Sequence, residues 1–120
     1  MDCIFCKMID ETIKTKKIYE DRDFFCIEDI HPQAKKHFLL ISKEHIESLA
    51  SAFSDRDLSV NKTELMGKLL QTATQIAYAE KLLPDGFRVV VNTNPAGGQS
   101  VFHLHLHILG GETLSGRFGA

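Results

Sequence analysis

Apolar and polar residues alternate most regularly near the end of the chain, over a strand predicted from Val101 to Leu109. Successive side chains of a strand point to opposite faces. Leu104, Leu106 and Ile108 would therefore face a core, and three histidines would share the other face. The remaining predicted strands are shorter β-rich runs, at 18–20, 24–30, 37–41 and 87–91.

A second pattern, with apolar residues three or four positions apart, predicts one long helix from Asn61 to Leu83. Asn61 and Glu64 have capping-box spacing at its start. Pro84-Asp85-Gly86 ends it. Two short helices are predicted at 3–10, with Asp2 as the N-cap, and at 44–53.

The loop 92–100 is too short for a helical crossover, so strands 87–91 and 101–109 should pair antiparallel. The predicted class is α+β, with about five strands in a mostly antiparallel sheet, one long helix and two short ones. Residues 1–120 form one domain, because 120 residues support one good core and hardly two.

Charge and composition exclude several classes of protein. A net charge of -2 argues against a broad nucleic-acid surface, which needs a basic excess. No apolar run approaches a membrane span, and the N-terminus is unlike a signal peptide, so we expect a cytoplasmic protein without membrane contact. There, three cysteines should be free thiols or metal ligands, and Cys26 should be a buried apolar residue.

Three of the six histidines, His103, His105 and His107, lie on one face of the last predicted strand. This face is a poor candidate for an ordinary core, because each buried imidazole would need a hydrogen-bond partner. Metal binding is one interpretation and covalent catalysis by a neutral imidazole is another. A solvated polar face is the third.

The loop before the histidines favours phosphate chemistry. Gly97-Gly98-Gln99-Ser100 stands immediately upstream of the strand. Two glycines allow backbone N–H groups to turn toward an anion, as in other phosphate-binding loops. The loop and the histidines together indicate phosphate chemistry more strongly than either does alone.

These motifs resemble the histidine triad (HIT) superfamily of nucleotide hydrolases and transferases, and in particular its Hint-like branch. The signature His-φ-His-φ-His-φ-φ, with φ apolar, is complete at His103–Leu109. Gly110-Gly111 after it is similar to the Hint-like branch. The resemblance covers most of the chain, through the segments 3–7, 29–34, 37–41, 90–92, 97–102 and 110–111.

The resemblance implies that His105 attacks the α-phosphorus of a purine nucleoside 5′-phosphoramidate or an acyl-nucleotide. A nucleotidyl-histidine forms, and water then releases the nucleoside monophosphate. His107 and the backbone of Gly98, Gln99 and Ser100 would hold the phosphate oxygens. Ser100 or a group near it would help to protonate the leaving amine. No metal is required for this chemistry.

The resemblance also implies a nucleotide-binding surface. Asp29 matches the residue that binds the ribose hydroxyls, and Asn92 matches a position on the phosphate side. The apolar walls around the base would be Ile4, Phe5, Met8, Ile13, Ile27 and Ile30. The alternative is that these apolar residues are plain core.

Cys3-x-x-Cys6 has the spacing of half a zinc site, with a thioredoxin-like redox motif as the alternative. Relatives that have such a pair imply a structural zinc held by Cys3, Cys6, His45 and His103. The other interpretation is two helix cysteines, one packed and one exposed. In zinc-free relatives the counterpart of His37 supports the first triad histidine, so His103 is expected to face either His37 or zinc.

The leading functional prediction is a Hint-like purine nucleoside phosphoramidase that acts as a homodimer. A second prediction is a dinucleoside polyphosphate hydrolase with the same nucleophile. A third is a nucleotide-binding or scaffold module with little catalysis. The chain lacks the Trp-containing tail of some close relatives, so the sequence does not determine its leaving-group preference.

Overall fold

The computed structural model describes residues 3–117, and within them the predicted α+β class is confirmed. Five strands form one sheet in the order β1-β2-β3-β5-β4, and every neighbouring pair is antiparallel. The strands are β1 Tyr19–Glu20, β2 Phe24–Glu28, β3 Lys36–Ser42, β4 Phe87–Val90 and β5 His105–Gly110. The helices are α1 Ile4–Ile9, α2 Leu49–Ala52 and α3 Thr63–Ala79.

The helix ends differ from the predicted ones for local reasons. Helix α1 has Cys3 as its N-cap, and the predicted cap Asp2 lies outside the described residues. Helix α3 has Lys62 as its N-cap, while the side chain of Asn61 accepts the N–H of Thr63 at 2.9 Å. The predicted helix 44–53 shortens to α2, because the side chain of Ser48 caps it at residue 49.

Two strand boundaries also moved. β2 ends at Glu28, not at residue 30. β5 begins at His105, so the predicted start at Val101 is wrong. Leu104, just before β5, still forms backbone hydrogen bonds with the end of β3 and the segment after it. Its N–H donates to the Ile46 carbonyl at 2.6 Å, and its carbonyl accepts from Ser42 N–H at 3.2 Å. These bonds position His103 although it precedes the strand.

Helix α3 covers one face of the sheet, as its apolar periodicity requires. Its buried residues Leu69, Ala73, Ile76 and Ala77 form one core with six sheet residues. Those are Phe24, Cys26, Phe38, Leu40, Leu106 and Ile108. No helix within residues 3–117 is both long and apolar enough to cross a membrane.

The opposite face of the sheet carries the histidines. Strand register places Ile41 beside His105, Leu39 and Val90 beside His107, and Arg88 beside Leu109. Residues paired across strands share a face. Phe5 and Met8 of α1 pack on this face against Phe25, Ile27 and Ile41. The fold thus leaves the triad between α1 and strand β4.

The glycine pair after the triad has a structural role. Gly111 has φ +82°, and a Cβ there would meet Lys36 Cγ at 3.2 Å and Lys35 Cβ at 3.3 Å. We expect Gly111→Ala to lower the free energy of unfolding by about 1–2 kcal/mol, because an L side chain is strained at this φ. Urea denaturation measures the change. Gly116→Ala, where a Cβ meets nothing within 4 Å, should leave stability unchanged.

Candidate active site

The three triad histidines are largely buried. The exposed fraction is 0% for His103 and 9% for His105, and His107 is half-buried. We expected this face to be unsuited to burial, since each imidazole would need a partner. That expectation is wrong, because each of the three rings has a hydrogen-bond partner within the chain.

The backbone sets the tautomer of His105. Its Nδ1 lies 2.7 Å from the carbonyl oxygen of His103. A carbonyl only accepts, so Nδ1 carries the hydrogen and donates it. Nε2 therefore keeps its lone pair. Burial lowers the pKa of His105, and the bond to His103 opposes this in part. The result is a neutral imidazole with one nucleophilic nitrogen.

A second chain of hydrogen bonds sets the tautomer of His107. The backbone N–H of Gln33 donates to His37 Nδ1 at 3.0 Å, so the hydrogen of His37 is on Nε2. His37 Nε2 lies 2.9 Å from His107 Nδ1, which therefore accepts. His107 then carries its own hydrogen on Nε2. This nitrogen can donate to a phosphate oxygen.

Asp29 joins this chain at His37. Its Oδ2 lies 3.4 Å from His37 Nε2, and its Oδ1 accepts the N–H of His31 at 2.8 Å. Asp29, His37 and His107 could in principle hold a metal, since their ligand atoms lie within 4.8 Å of one another. A metal would need a lone pair on His37 Nε2. The bond that His37 Nδ1 accepts from Gln33 N–H leaves the ring hydrogen on Nε2 instead. The geometry favours a hydrogen-bonded chain over a metal site.

The sequence did not decide whether His103 faces His37 or the zinc ligands. In the structure it lies with Cys3, Cys6 and His45, and these four residues are called the cysteine cluster below. His103 Nε2–H donates to the Ser42 carbonyl at 2.5 Å, which leaves the lone pair on Nδ1. That Nδ1 lies 3.3 Å from Cys3 Sγ, 3.6 Å from Cys6 Sγ and 3.0 Å from His45 Nδ1. His37 pairs with His107 instead.

The four ligand atoms of the cysteine cluster lie close enough together to share one metal ion. Cys6 Sγ and His45 Nδ1 lie 3.1 Å apart, and all four ligand atoms lie within 4.8 Å of one another. Zinc–ligand bonds of about 2.0–2.3 Å place tetrahedral ligand atoms roughly 3.3–3.8 Å apart. Burial raises the pKa of Cys6 to about 11, as does its hydrogen bond with Cys3. A divalent cation would favour the thiolates instead.

The loop before the triad is more closed than predicted. The N–H groups of Gly97 and Gln99 bond to the Asn94 carbonyl at 3.1 Å, and that of Gly98 to Pro95 at 3.0 Å. The expectation that these donors face an anion is therefore wrong in this conformation. The exposed Ser100 forms no hydrogen bond within residues 3–117, so its N–H and hydroxyl are free to donate.

Gln99 maintains the loop from inside. Its side chain is buried, and its Oε1 accepts the N–H of Asn94 at 2.7 Å. Its Nε2 donates to the carbonyls of Glu47 at 2.7 Å and Val101 at 3.0 Å. All the polar atoms of this side chain are therefore occupied. Gln99 shapes the loop rather than offering its side chain to a substrate.

The predicted base-binding residues divide into two groups. Phe5, Met8 and Ile27 are buried in one cluster, with Ile13 packed at its edge. The Phe5 ring meets His105 edge-on, with centroids 5.2 Å apart. Ile4 and Ile30 are outside this group, with exposed fractions of 44% and 86%. Plain core is therefore excluded for those two.

Two cavities border the site. One, of about 180 Å³, is lined by His37, His107, Asn92, Gln33 and Arg88, together with Val90 and Leu109. The other, of about 350 Å³, contains Ser100 together with Cys3, Ile4 and His45. The structure thus places Asn92 beside His107 and Ser100 near the cysteine cluster. A larger cavity, of about 680 Å³ near Lys81 and Thr113, has no histidine in its wall.

Sequence reasoning missed Gln33, Ser42 and Arg88. Gln33 and Ser42 act through backbone atoms, which leave no signal in residue type. Arg88 lies on β4 and reaches the cavity because β4 pairs with β5 in this register. Arg88 and Val90 share one face of β4, because successive side chains of a strand alternate. The register that puts this face beside His107 is not visible in the sequence.

The buried neutral histidines predict how stability depends on pH. Burial first, then His105 and His37, lower the pKa of His107 to about 4. Between pH 6.5 and about 4 the unfolded chain binds the proton and the native chain does not, so stability falls as the pH falls. Between pH 7 and 4.5, we expect the free energy of unfolding to fall by about 2 kcal/mol more in the native chain than in His107→Gln.

Urea denaturation of the native chain and of His107→Gln at both pH values measures this difference. His31→Gln is the matched control, because His31 is exposed. It should lose stability in parallel with the native chain. Equal losses in the native chain and His107→Gln would contradict the assignment of a neutral, half-buried His107 in the native state.

Proteins of one known family resemble this chain in sequence and in fold. The HIT domain family model matches residues 10–114. Protein HitA of Neisseria gonorrhoeae is 43% identical over 109 residues, which cover 91% of this chain and 95% of that protein. A HIT family hydrolase from Legionella pneumophila Philadelphia 1 has a TM-score of 0.85 at 38% identity, covering 96% of this chain and 97% of that chain.

A five-stranded antiparallel sheet with the histidine triad on the face opposite α3 defines a histidine triad protein. This chain belongs to the HIT family. A Zn-bound histidine triad family protein from Mycobacterium smegmatis is also similar, at 32% identity and a TM-score of 0.78. That match covers 98% of this chain and 82% of the other.

Proposed function

We propose that this protein is a nucleotide hydrolase that cleaves purine nucleoside 5′-phosphoramidates or acyl-nucleotides to nucleoside monophosphates. The observation that carries the proposal is the bond from His105 Nδ1–H to the His103 carbonyl, at 2.7 Å. It leaves a lone pair on Nε2 of a neutral, buried imidazole. Such a nitrogen can approach an anionic phosphate without charge repulsion.

The chemistry proceeds in two steps. His105 Nε2 attacks the α-phosphorus, a nitrogen–phosphorus bond forms, and the bond to the leaving amine or carboxylate breaks. A departing amine takes a proton that solvent water supplies through the Ser100 hydroxyl, which forms no hydrogen bond within residues 3–117. Water then attacks the nucleotidyl-histidine, which releases the monophosphate and restores His105.

His107 stabilises the phosphate in both steps. Because its Nδ1 accepts from His37, its Nε2–H can donate to a phosphate oxygen as negative charge develops there. A pKa near 4 keeps the ring neutral at physiological pH. Asn92 borders the same cavity and offers an amide to the phosphate.

The nucleoside would lie on the α1 side of the triad. Of the residues expected around a purine base, the exposed Ile4 and Ile30 would contact it directly. The buried Phe5, Met8 and Ile27 would support that surface from within. Asp29 is half-buried, and its Oδ2 faces His37 at 3.4 Å. Binding of the ribose hydroxyls by Asp29 would couple the sugar to the His37–His107 chain. The homodimer and the Hint-like assignment rest on the resemblance in sequence.

Two other functions compete with this one: hydrolysis of dinucleoside polyphosphates with the same nucleophile, and a nucleotide-binding scaffold with little catalysis. A substrate panel separates the two hydrolases. We expect fast cleavage of an adenosine phosphoramidate and slow cleavage of diadenosine polyphosphates. The reverse order would reject the first proposal, and slow turnover of both would favour the scaffold.

We also propose a structural zinc held by Cys3, Cys6, His45 and His103. Their spacing fits tetrahedral coordination, and the similar protein from Mycobacterium smegmatis is Zn-bound. A zinc ion there would link the start of α1, the segment after β3 and the segment before β5. It would act on stability, because the His105 step needs no metal.

A further inference from the structure

We propose that Cys3 and Cys6 form a reversible oxidation site. A hydroperoxide would convert the pair to a disulfide, expel the metal and slow the reaction at His105. The oxidation stands on the geometry of the cluster alone. Its effect on turnover rests on the proposed function.

The two cysteines occupy one turn at the start of α1. Cys3 is the N-cap, and its sulfur accepts the N–H of Cys6 at 3.4 Å. The two sulfurs lie within 4.8 Å of each other, so a disulfide needs only a small rearrangement of this turn.

Solvent reaches this cluster. Cys6 is half-buried rather than enclosed, and a cavity of about 350 Å³ borders Cys3 and His45. The third cysteine contrasts with the pair. Cys26 is fully buried in the core under α3, and burial raises its pKa to about 12. Oxidation should therefore select the pair.

The reaction balances with hydroperoxide as the oxidant. One thiolate attacks a peroxide oxygen, the O–O bond breaks, and a sulfenic acid and hydroxide form. The second sulfur then attacks the sulfenic sulfur, which forms the S–S bond and releases a second hydroxide. Each sulfur loses one electron and the peroxide gains two. The disulfide is a poor ligand, so only two histidines would still hold the metal, and the metal would dissociate.

Two direct contacts connect the pair to the nucleophile. His103 places its Nδ1 in the cysteine cluster, while its carbonyl accepts the hydrogen of His105 Nδ1. Phe5, between the two cysteines, packs edge-on against both the His103 and the His105 rings. A change in the first turn of α1 therefore displaces the groups that orient His105. Displacement of a reacting group by about 1 Å lowers rates up to a hundredfold.

The test uses the zinc-loaded full chain, treated with hydrogen peroxide beside a coloured zinc chelator. We expect one zinc released per chain, an intact mass lower by two hydrogens, and a disulfide mapped to Cys3 and Cys6. Turnover of an adenosine phosphoramidate should fall by roughly tenfold or more. A dithiol reductant with added zinc should restore it.

Cys26→Ala is the matched control, because it keeps the pair and removes the other thiol. It should respond to peroxide as the native chain does, whereas Cys6→Ser should form no intramolecular disulfide. A disulfide that includes Cys26, irreversible sulfinic acid at the pair, or unchanged turnover after the disulfide forms would each overturn the proposal. Mass and zinc release need no substrate, so a failed phosphoramidase assignment is recognised separately, by absence of turnover in the reduced protein.

Discussion

Replacing His105 by alanine is expected to lower kcat/KM for an adenosine phosphoramidate by about 10⁴-fold or more, the scale seen when a covalent nucleophile is removed. The reason is that Nε2 of His105 is the nitrogen freed by the bond to the His103 carbonyl. Initial rates measure the loss. Rapid denaturing quench at alkaline pH, which preserves the acid-labile nitrogen–phosphorus bond, followed by mass spectrometry should detect a nucleotidyl adduct in the native chain and none in His105→Ala.

His31→Ala is the control for this prediction. His31 is exposed, and it meets Asp29 through its backbone N–H, which the substitution keeps. Its turnover should remain within about twofold of the native value, because the His31 side chain forms no hydrogen bond within residues 3–117 and its loss should leave the fold unchanged. Equal turnover by His105→Ala and the native chain would show that another group attacks the phosphorus.

Removing the proposed zinc is expected to lower Tm by about 15 °C. Saturation a thousandfold above Kd stabilises a fold by about 4 kcal/mol, and each kcal/mol shifts Tm by about 4 °C at this size. The effect is large because the ligands join distant parts of the chain: Cys6 and His45 are 39 positions apart, and Cys3 and His103 are 100 apart. Thermal denaturation with and without a strong chelator measures it.

Metal analysis should find one zinc per chain, and Cys26→Ala should keep both the metal and the chelator response. Cys6→Ser should lose most of the response, because three ligands remain. A chain that binds zinc but denatures at the same temperature without it would contradict the structural role. A chain that retains no zinc after reconstitution would contradict the site.

Much of the fold followed from periodicity. The α3 core and the five strands were predictable, because burial requires apolar residues every second position in a strand and every third or fourth in a helix. Element ends were less predictable. β5 starts at His105 rather than Val101, since strand pairing with β3 begins only where Ile41 meets His105.

The sequence by itself determined that His105 and His107 share a face, because strand alternation is a local property. It also placed two cysteines in one turn of α1. Only the tertiary structure decided which partner each histidine has. His103 meets the cysteine cluster and His37 meets His107, through bonds that span 100 and 70 positions of the chain. These pairings, and with them the tautomers that make His105 Nε2 nucleophilic and His107 Nε2 a donor, depend on sheet register and on backbone atoms, which residue type does not encode.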